Sequence, residues 1–162
     1  MRDNLRDWEE YLIPFFVHIE LLGEIPITVI ECEQIAQLIR TLIKQYGPTK
    51  ATRYLESVYS YTFIVYLAAT AAHNTEMDYW GVVSESIGLS KQAIQNQGWG
   101  EIFLSTLQEA GLPGFSQAGG YRFVTPIRLH GGIPTYSLPD FFYYILIPSI
   151  RNMRYAGPPH PK

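Results

Sequence analysis

A run of 19 residues without a formal charge, residues 57 to 75, constrains the fold of this chain more than any other feature. It is long enough to cross a bilayer as a helix. However, it contains serine, threonine, histidine, asparagine and three tyrosines, whose transfer into lipid is unfavourable compared with a leucine-rich span. A helix that is apolar on nearly all sides is also typical of the centre of a helical core. The run therefore predicts a buried core helix, and a membrane span is the disfavoured alternative.

Apolar residues recur at helical spacing over most of the first 111 residues, which predicts a mainly α-helical fold. The clearest stripe runs from Ile35 to Tyr46, after a capping box formed by Thr28 and Glu31. We expect a single domain of six to seven helices over residues 1–155, and a flexible tail or the start of a linker over residues 156–162. The predicted helices are 3–22 with a break near Pro14, 29–46, 50–73 capped by Thr49, 75–88 capped by Thr75 with Asp78, a short turn after Ser90, 99–111 and 138–153.

The chain becomes rich in turns after Gly111, and here the pattern changes from helical to alternating. Apolar and arginine side chains alternate over residues 121–129, which predicts a small strand-and-turn element near residues 120–135. Pro126 favours an edge strand, because proline cannot donate to a neighbouring strand. A lone strand leaves its backbone unsatisfied, so we expect it to pair with a nearby hairpin partner or with a strand from a second chain or from a missing domain.

Charge is distributed unevenly along the chain, whose net charge is −3. Residues 1–33 carry a net charge of −6, whereas the chain from Ala110 onward carries +4. The overall balance excludes a generally basic coat for nucleic acids. The basic C-terminal third could meet an anionic partner, but it could equally dock against the acidic start of the chain or simply balance its charge in solution. Cys32 is the single cysteine, and the N-terminus has no secretory pattern, which together favour a cytoplasmic protein without disulfides.

Residues 82–97 have the pattern of a helix-turn-helix, with Gly88 at the turn, Ser90 as a cap and Ile94 as an apolar anchor. The side chains that the second helix would present to DNA are Lys91, Gln92, Gln95 and Asn96. Glutamine and asparagine pair with adenine edges, but only one of these four residues is basic, although phosphate contacts normally supply most of the affinity. The same pattern is also an ordinary way to turn a corner in a helical protein.

The strand-and-turn element is the other candidate surface, because it combines aromatic and basic side chains with glycine turns. Such a surface can stack on nucleic-acid bases or contact a protein. The residues that we expect to bind a partner are Arg122, Phe123, Arg128, His130, Gly131 and Gly132. The interpretation that the sequence favours is a non-catalytic helical interaction or assembly module, which binds a protein partner or a second copy of itself. DNA binding by the helix after Ser90 is the alternative.

Catalytic patterns are fragmentary in this sequence. Ser116 lies in a sequence that resembles a nucleophile elbow, but it lacks the flanking strand and helix, and the His130-Gly131-Gly132 element follows it instead of preceding it. The four histidines are scattered and match no metal-ligand spacing, and no phosphate-binding glycine motif is present. We therefore predict neither an enzyme nor a cofactor nor a metal site.

Residues 79–142 resemble a block near the start of large, poorly characterised bacterial proteins of the kind found beside mobile-element and phage-defence genes. The stretches that carry the resemblance are Tyr121 to Ile127, Leu129 to Pro134 and Leu138 to Phe142, with Trp99-Gly100 upstream. The resemblance implies a bacterial module that belongs to a larger protein or complex. It implies no catalytic or ligand-binding residue.

Overall fold

The computed structural model describes residues 2–74, 78–115 and 123–132 of the chain. These residues form eight α-helices and no strand, so the mainly helical prediction is confirmed. The predicted helix at 138–153, the tail at 156–162 and Thr75 lie outside the described ranges. The helices are α1 Leu5–Leu12, α2 Val29–Tyr46, α3 Pro48–Ser57, α4 Ser60–His73, α5 Tyr79–Ile87, α6 Lys91–Asn96, α7 Trp99–Glu109 and α8 Val124–Gly131, with 3₁₀ turns at Ile13–Val17 and Leu22–Glu24.

Helix α4 forms the centre of the molecule, as the uncharged run predicts. Its residues 62–71 are all buried, and α1, α2, α3, α5, α7 and α8 pack around it. The hydroxyl of Tyr79 donates a hydrogen bond of 2.7 Å to the carbonyl of Leu67, which satisfies a polar group inside this core. No helix in the described ranges is long and apolar enough to span a membrane.

Helix α2 begins and ends where its sequence predicts. The Thr28 hydroxyl accepts the Glu31 amide at 3.0 Å, and the Glu31 carboxylate accepts the Thr28 amide at 2.9 Å. The helix then stops at Gly47, whose φ of 84° belongs to the left-handed half of conformational space that glycine tolerates. Both signals are local, so the sequence alone defines this element.

The predicted single helix over 50–73 is wrong, because the chain breaks between α3 and α4. Tyr59 leaves the helical region, with φ −118° and ψ 36°. The Ser57 hydroxyl turns back to the Arg53 carbonyl at 2.7 Å, which competes with continuation of the helix. Helix α3 also begins at Pro48, so Thr49 is not its cap. The start of α4 is instead capped from a distance, by the carboxylate of Glu9 on α1.

The Glu9 carboxylate accepts the amide of Thr62 at 2.8 Å, the hydroxyl of Thr62 at 2.8 Å and the amide of Tyr61 at 3.2 Å. We expect Glu9→Ala to destabilise the protein by about 1–2 kcal/mol, as for the loss of a helix cap. Glu10→Ala is the matched control, since Glu10 is the exposed neighbour on the same helix. Chemical denaturation of both variants tests this, and equal stabilities would contradict the capping role.

The predicted strand is also wrong over its described part, because residues 124–131 form α8. Pro126 is the third residue of this helix, and in the first turn of a helix the missing amide proton costs no hydrogen bond. Helix α8 packs against α4 and the 3₁₀ turn Leu22–Glu24, and its side chains Ile127 and Leu129 are buried. The alternation that predicts a strand is therefore overridden by tertiary packing.

Candidate functional site

The 3₁₀ turn Ile13–Val17 combines a wholly apolar sequence with a complete absence of buried residues. Val17 is 75% exposed and Ile13 is 46% exposed, whereas the adjoining Leu12 of α1 is fully buried. Pro14 is the second residue of the turn, and its fixed φ and missing amide proton end α1 at this point. We call the exposed side chains Tyr11, Ile13, Pro14 and Val17 the apolar surface.

The apolar surface is held in place by aromatic contacts on its inner side. The ring of Phe16 stacks on that of Tyr61 in α4, with centroids 4.1 Å apart and planes at 16°. The ring of Phe15 meets that of Tyr11 edge-on at 5.4 Å. These contacts fix the turn, so that Ile13 and Val17 project from a rigid base. A rigid apolar surface binds a partner at a lower entropic cost than a flexible one.

The apolar surface carries no formal charge of its own, although it belongs to an acidic stretch of the sequence. Residues 11–17 contain no ionisable acid or base other than the tyrosine, although residues 1–33 as a whole carry a net charge of −6. One of the two bases in that region, Arg2, is already engaged inside the molecule. It pairs with Glu31 at 2.8 Å, and its guanidinium lies 3.8 Å from the centre of the Tyr11 ring.

The helix-turn-helix pattern is present as geometry in α5 and α6. Gly88 adopts the left-handed conformation at the turn, and the Ser90 hydroxyl accepts the Ala93 amide at 3.1 Å as the cap of α6. Asp78 caps α5, because its carboxylate accepts the Gly81 amide at 3.0 Å. The apolar anchors are all buried, namely Val83, Ile87, Leu89 and Ile94.

The four predicted DNA-reading side chains lie on α6, but two contacts already occupy three of them. The Lys91 ammonium forms a 3.0 Å salt bridge with Asp78. Gln92 donates a hydrogen bond of 2.9 Å to Asn96. The remaining predicted side chain, Gln95, is exposed and takes part in neither contact. Helix α6 has six residues, a length of about 9 Å, which offers little surface to a DNA groove.

A residue that the sequence analysis does not identify, Arg40 of α2, supports the turn after α5. Its Nη2 donates a hydrogen bond of 2.8 Å to the carbonyl of Glu85, near the end of α5. Its guanidinium also lies against Gly88, so that a side chain at that position would collide with it. No local signal marks this contact, because the two partners are 45 residues apart.

The predicted partner-binding residues do not form one exposed surface. Arg122 lies outside the described ranges, Gly132 is exposed, and Phe123 and Arg128 are half-buried. The Phe123 ring lies against Gly100 and occupies the space that a side chain at that position would need. The Arg128 guanidinium lies 5.8 Å from the centre of the Tyr79 ring.

The prediction that His130 and Gly131 bind a partner is wrong, because both residues pack against the core. His130 is fully buried, and Gly131 approaches the backbone of Ala68 in α4 so closely that a side chain would collide with it. The physical reason is that residues 124–131 form the helix α8 instead of a strand, and α8 packs against α4. His130 therefore cannot reach a partner in this fold, and Gly131 serves the close approach of α8 to α4.

The surroundings of His130 define its protonation state. Its Nδ1 accepts the Leu22 amide at 3.1 Å, so the ring proton is on Nε2, which donates to the Pro113 carbonyl at 2.7 Å. Burial lowers the pKa of His130 from 6.5 to about 4, although the Pro113 carbonyl and Glu24 act in the opposite direction. His130 is therefore a neutral structural group that joins three segments of the chain.

Reactive groups are not concentrated in any one place within the described part of the chain. Burial raises the pKa of the Cys32 thiol, whose sulfur lies 3.5 Å from the Thr70 hydroxyl inside the core. Among residues 2–74, 78–115 and 123–132, no group of three histidine, cysteine or acidic side chains could hold a metal ion. Ser116 lies outside these ranges.

The structure thus defines a helical domain with a rigid apolar surface and a short helix-turn-helix. Comparison with protein-family models, with curated proteins and with solved structures gives no match to this chain. The resemblance to large bacterial proteins of the mobile-element or phage-defence kind therefore stays a prediction, and any functional argument depends on the surfaces themselves.

Proposed function

We propose that this protein is a non-catalytic helical assembly module that associates with a second copy of itself through the apolar surface. The observation that carries the proposal is the exposure of Ile13, Pro14 and Val17, three of the five apolar residues of the turn Ile13–Val17. Removal of such side chains from water on association is favourable by about 25 cal/mol per Å². A single exposed apolar residue is ordinary, but Ile13, Pro14 and Val17 are exposed together on one turn, which is typical of an interaction site.

Two features of charge support a second copy as the partner. The centre of the apolar surface is uncharged, so two copies can meet there without burying like charges. The chain also carries an acidic N-terminal region and a basic C-terminal third, so each copy contains charge of both signs. Because the turn is small compared with a standard interface, we expect association to be weak and dependent on concentration.

Cysteine cross-linking tests where the copies meet. Val17→Cys should give a covalent dimer with a short bismaleimide cross-linker, because the Val17 side chains of two associated copies lie at the shared surface. Ile30→Cys is the matched control, since Ile30 is 67% exposed at the start of α2, outside the apolar surface. The native Cys32 is buried and should contribute little background. Equal cross-linking of the two variants, or none at Val17, would overturn the proposed contact.

DNA binding by α6 is the second candidate function, and the formed geometry of α5, the turn and α6 favours it. The buried anchors and the side chains of Gln92 and Gln95 match what a DNA-reading unit requires. The short α6 and the pairing of Lys91 with Asp78 weaken it, because both reduce contact with the duplex and its phosphates.

Fluorescence anisotropy with labelled double-stranded DNA, at about 50 mM and about 200 mM salt, tests this second function. If α6 reads DNA, Gln92→Ala with Gln95→Ala should abolish the sequence preference, at a cost of about 1–3 kcal/mol for each base that is no longer read. Gln37→Ala with Gln34→Ala on α2 is the control, since these glutamines are also exposed. Absence of binding at the lower salt concentration would rule this function out.

A further inference from the structure

The guanidinium of Arg2 is enclosed by two aromatic rings and a carboxylate. Its central carbon lies 4.2 Å from the centre of the Trp8 ring and 3.8 Å from the centre of the Tyr11 ring. The centroids of these two rings are 5.9 Å apart and their planes stand at 82°, so the rings form a corner. The carboxylate of Glu31 on α2 closes a third side, since it accepts a hydrogen bond of 2.8 Å from Nη2 of Arg2. We call Trp8, Tyr11 and Glu31 the cation cage.

The walls of the cation cage are held by contacts that do not involve Arg2. Trp8 belongs to the buried core, and the Tyr11 ring meets that of Phe15 edge-on at 5.4 Å. The Oε1 atom of Glu31 accepts the Thr28 amide at 2.9 Å in the capping box of α2, which leaves Oε2 for the guanidinium. Since the walls are already positioned, a ligand does not have to order them.

The chemistry of the cation cage selects a guanidinium over an ammonium group. The faces of tyrosine and tryptophan rings attract cations, and the Glu31 carboxylate needs a cationic partner. A guanidinium is planar and weakly hydrated, so it can stack on an aromatic face while its edge donates to a carboxylate. An ammonium group is a strongly hydrated point charge, which loses more water on entering the same space. Arg2 itself shows which side chain fits.

The position of Arg2 allows another arginine to take its place. Arg2 lies before the cap of α1, Asn4, so its backbone is not part of a helix. The side chains of Arg2 and Glu31 are 28% and 27% exposed, and a partly exposed ion pair contributes little to stability. Tyr11 is 36% exposed and belongs to the apolar surface. The cage therefore opens to solvent beside the apolar surface, within reach of a side chain from a chain that docks there.

We propose that the cation cage is a recognition site for an arginine side chain of a partner protein, and that Arg2 of the same chain is a resident ligand that competes for it. An incoming arginine makes the contacts that Arg2 gives up, so the exchange leaves no charge of the cage unpaired. The proposal does not rest on self-association, because an arginine from any chain that docks beside Tyr11 satisfies it.

Chemical rescue of Arg2→Ala tests the proposal on the full-length chain. In this variant the cage has lost its resident ligand, so added N-acetyl-L-arginine amide should bind there and stabilise the native state. At about 50 mM ligand, a Kd of about 10 mM raises the folding equilibrium constant about sixfold, which urea denaturation measures. The wild type should change by less than about twofold, because Arg2 already occupies the cage. N-acetyl-L-lysine amide at the same concentration should rescue Arg2→Ala by less than about twofold.

Arg6→Ala is the matched control, since Arg6 is an exposed arginine on α1, and it should respond to the ligand as the wild type does. Adding Tyr11→Leu to Arg2→Ala removes one wall of the cage and should end the rescue. Tyr46→Leu, at a tyrosine of similar exposure, should preserve it. No rescue of Arg2→Ala, equal rescue of Arg6→Ala, or rescue that persists without the Tyr11 ring would overturn the arginine site. Equal responses of wild type and Arg2→Ala would overturn the competition by Arg2. Because the probe is a small molecule, these outcomes are the same whether or not the chain self-associates.

Discussion

Ile13→Asp combined with Val17→Asp is expected to leave the protein monomeric at concentrations where the wild type associates. In an associated pair the two aspartates of each copy would lose water without gaining a partner. An unpaired charge in a buried contact costs about 3–5 kcal/mol, which corresponds to a loss of affinity of at least about 100-fold. Sedimentation velocity at matched concentrations measures this loss.

The control for this double substitution is Val29→Asp with Ile30→Asp. These two residues are also apolar and exposed, and they lie in the first turn of α2, where an acid is tolerated by the helix dipole. Both double variants add the same charge, so a difference between them isolates the position of the substitution. If the two variants sediment alike, the apolar surface has no special role. Thermal unfolding followed by circular dichroism shows that each variant is folded.

The second large effect is a loss of stability on acidification, caused by His130. Because its pKa falls from 6.5 to about 4 on folding, the unfolded chain binds a proton between these pH values that the native protein does not. The contribution is fully present above about pH 6.5 and decreases as the pH falls towards 4. A shift of this size corresponds to about 3 kcal/mol in the free energy of unfolding.

Urea denaturation of the wild type and of His130→Gln, at intervals between about pH 7.5 and about pH 4.5, measures this contribution. Glutamine can still accept from the Leu22 amide and donate to the Pro113 carbonyl, but it does not titrate. We expect the variant to lose less stability than the wild type as the pH falls. Parallel pH profiles for wild type and His130→Gln would show that His130 is not the group responsible.

The parts of the fold that can be predicted from sequence are those specified by nearby residues. The capping box of Thr28 and Glu31, the left-handed glycine at Gly88 and the cap at Ser90 each act within four residues, and each element begins or ends where its signal predicts. The buried α4 can be predicted as well, because its lack of charge is a property of the segment itself.

The parts that sequence reasoning misses depend on contacts between distant residues. Glu9 caps α4 from a position 53 residues before Thr62, so the break between α3 and α4 has no complete local signal. Alternation over 121–129 predicts a strand, but burial against α4 selects a helix there and turns His130 inward. The apolar surface escapes prediction for a related reason, because the sequence of the turn Ile13–Val17 looks like a core segment until its exposure is known.

The measurement that tests the central claim most directly is sedimentation equilibrium of the unmodified protein over a wide range of concentrations. If the chain is an assembly module that binds a second copy of itself, the apparent mass will rise above the monomer value of 18.5 kDa as concentration increases. A mass of 18.5 kDa at every concentration would contradict the account.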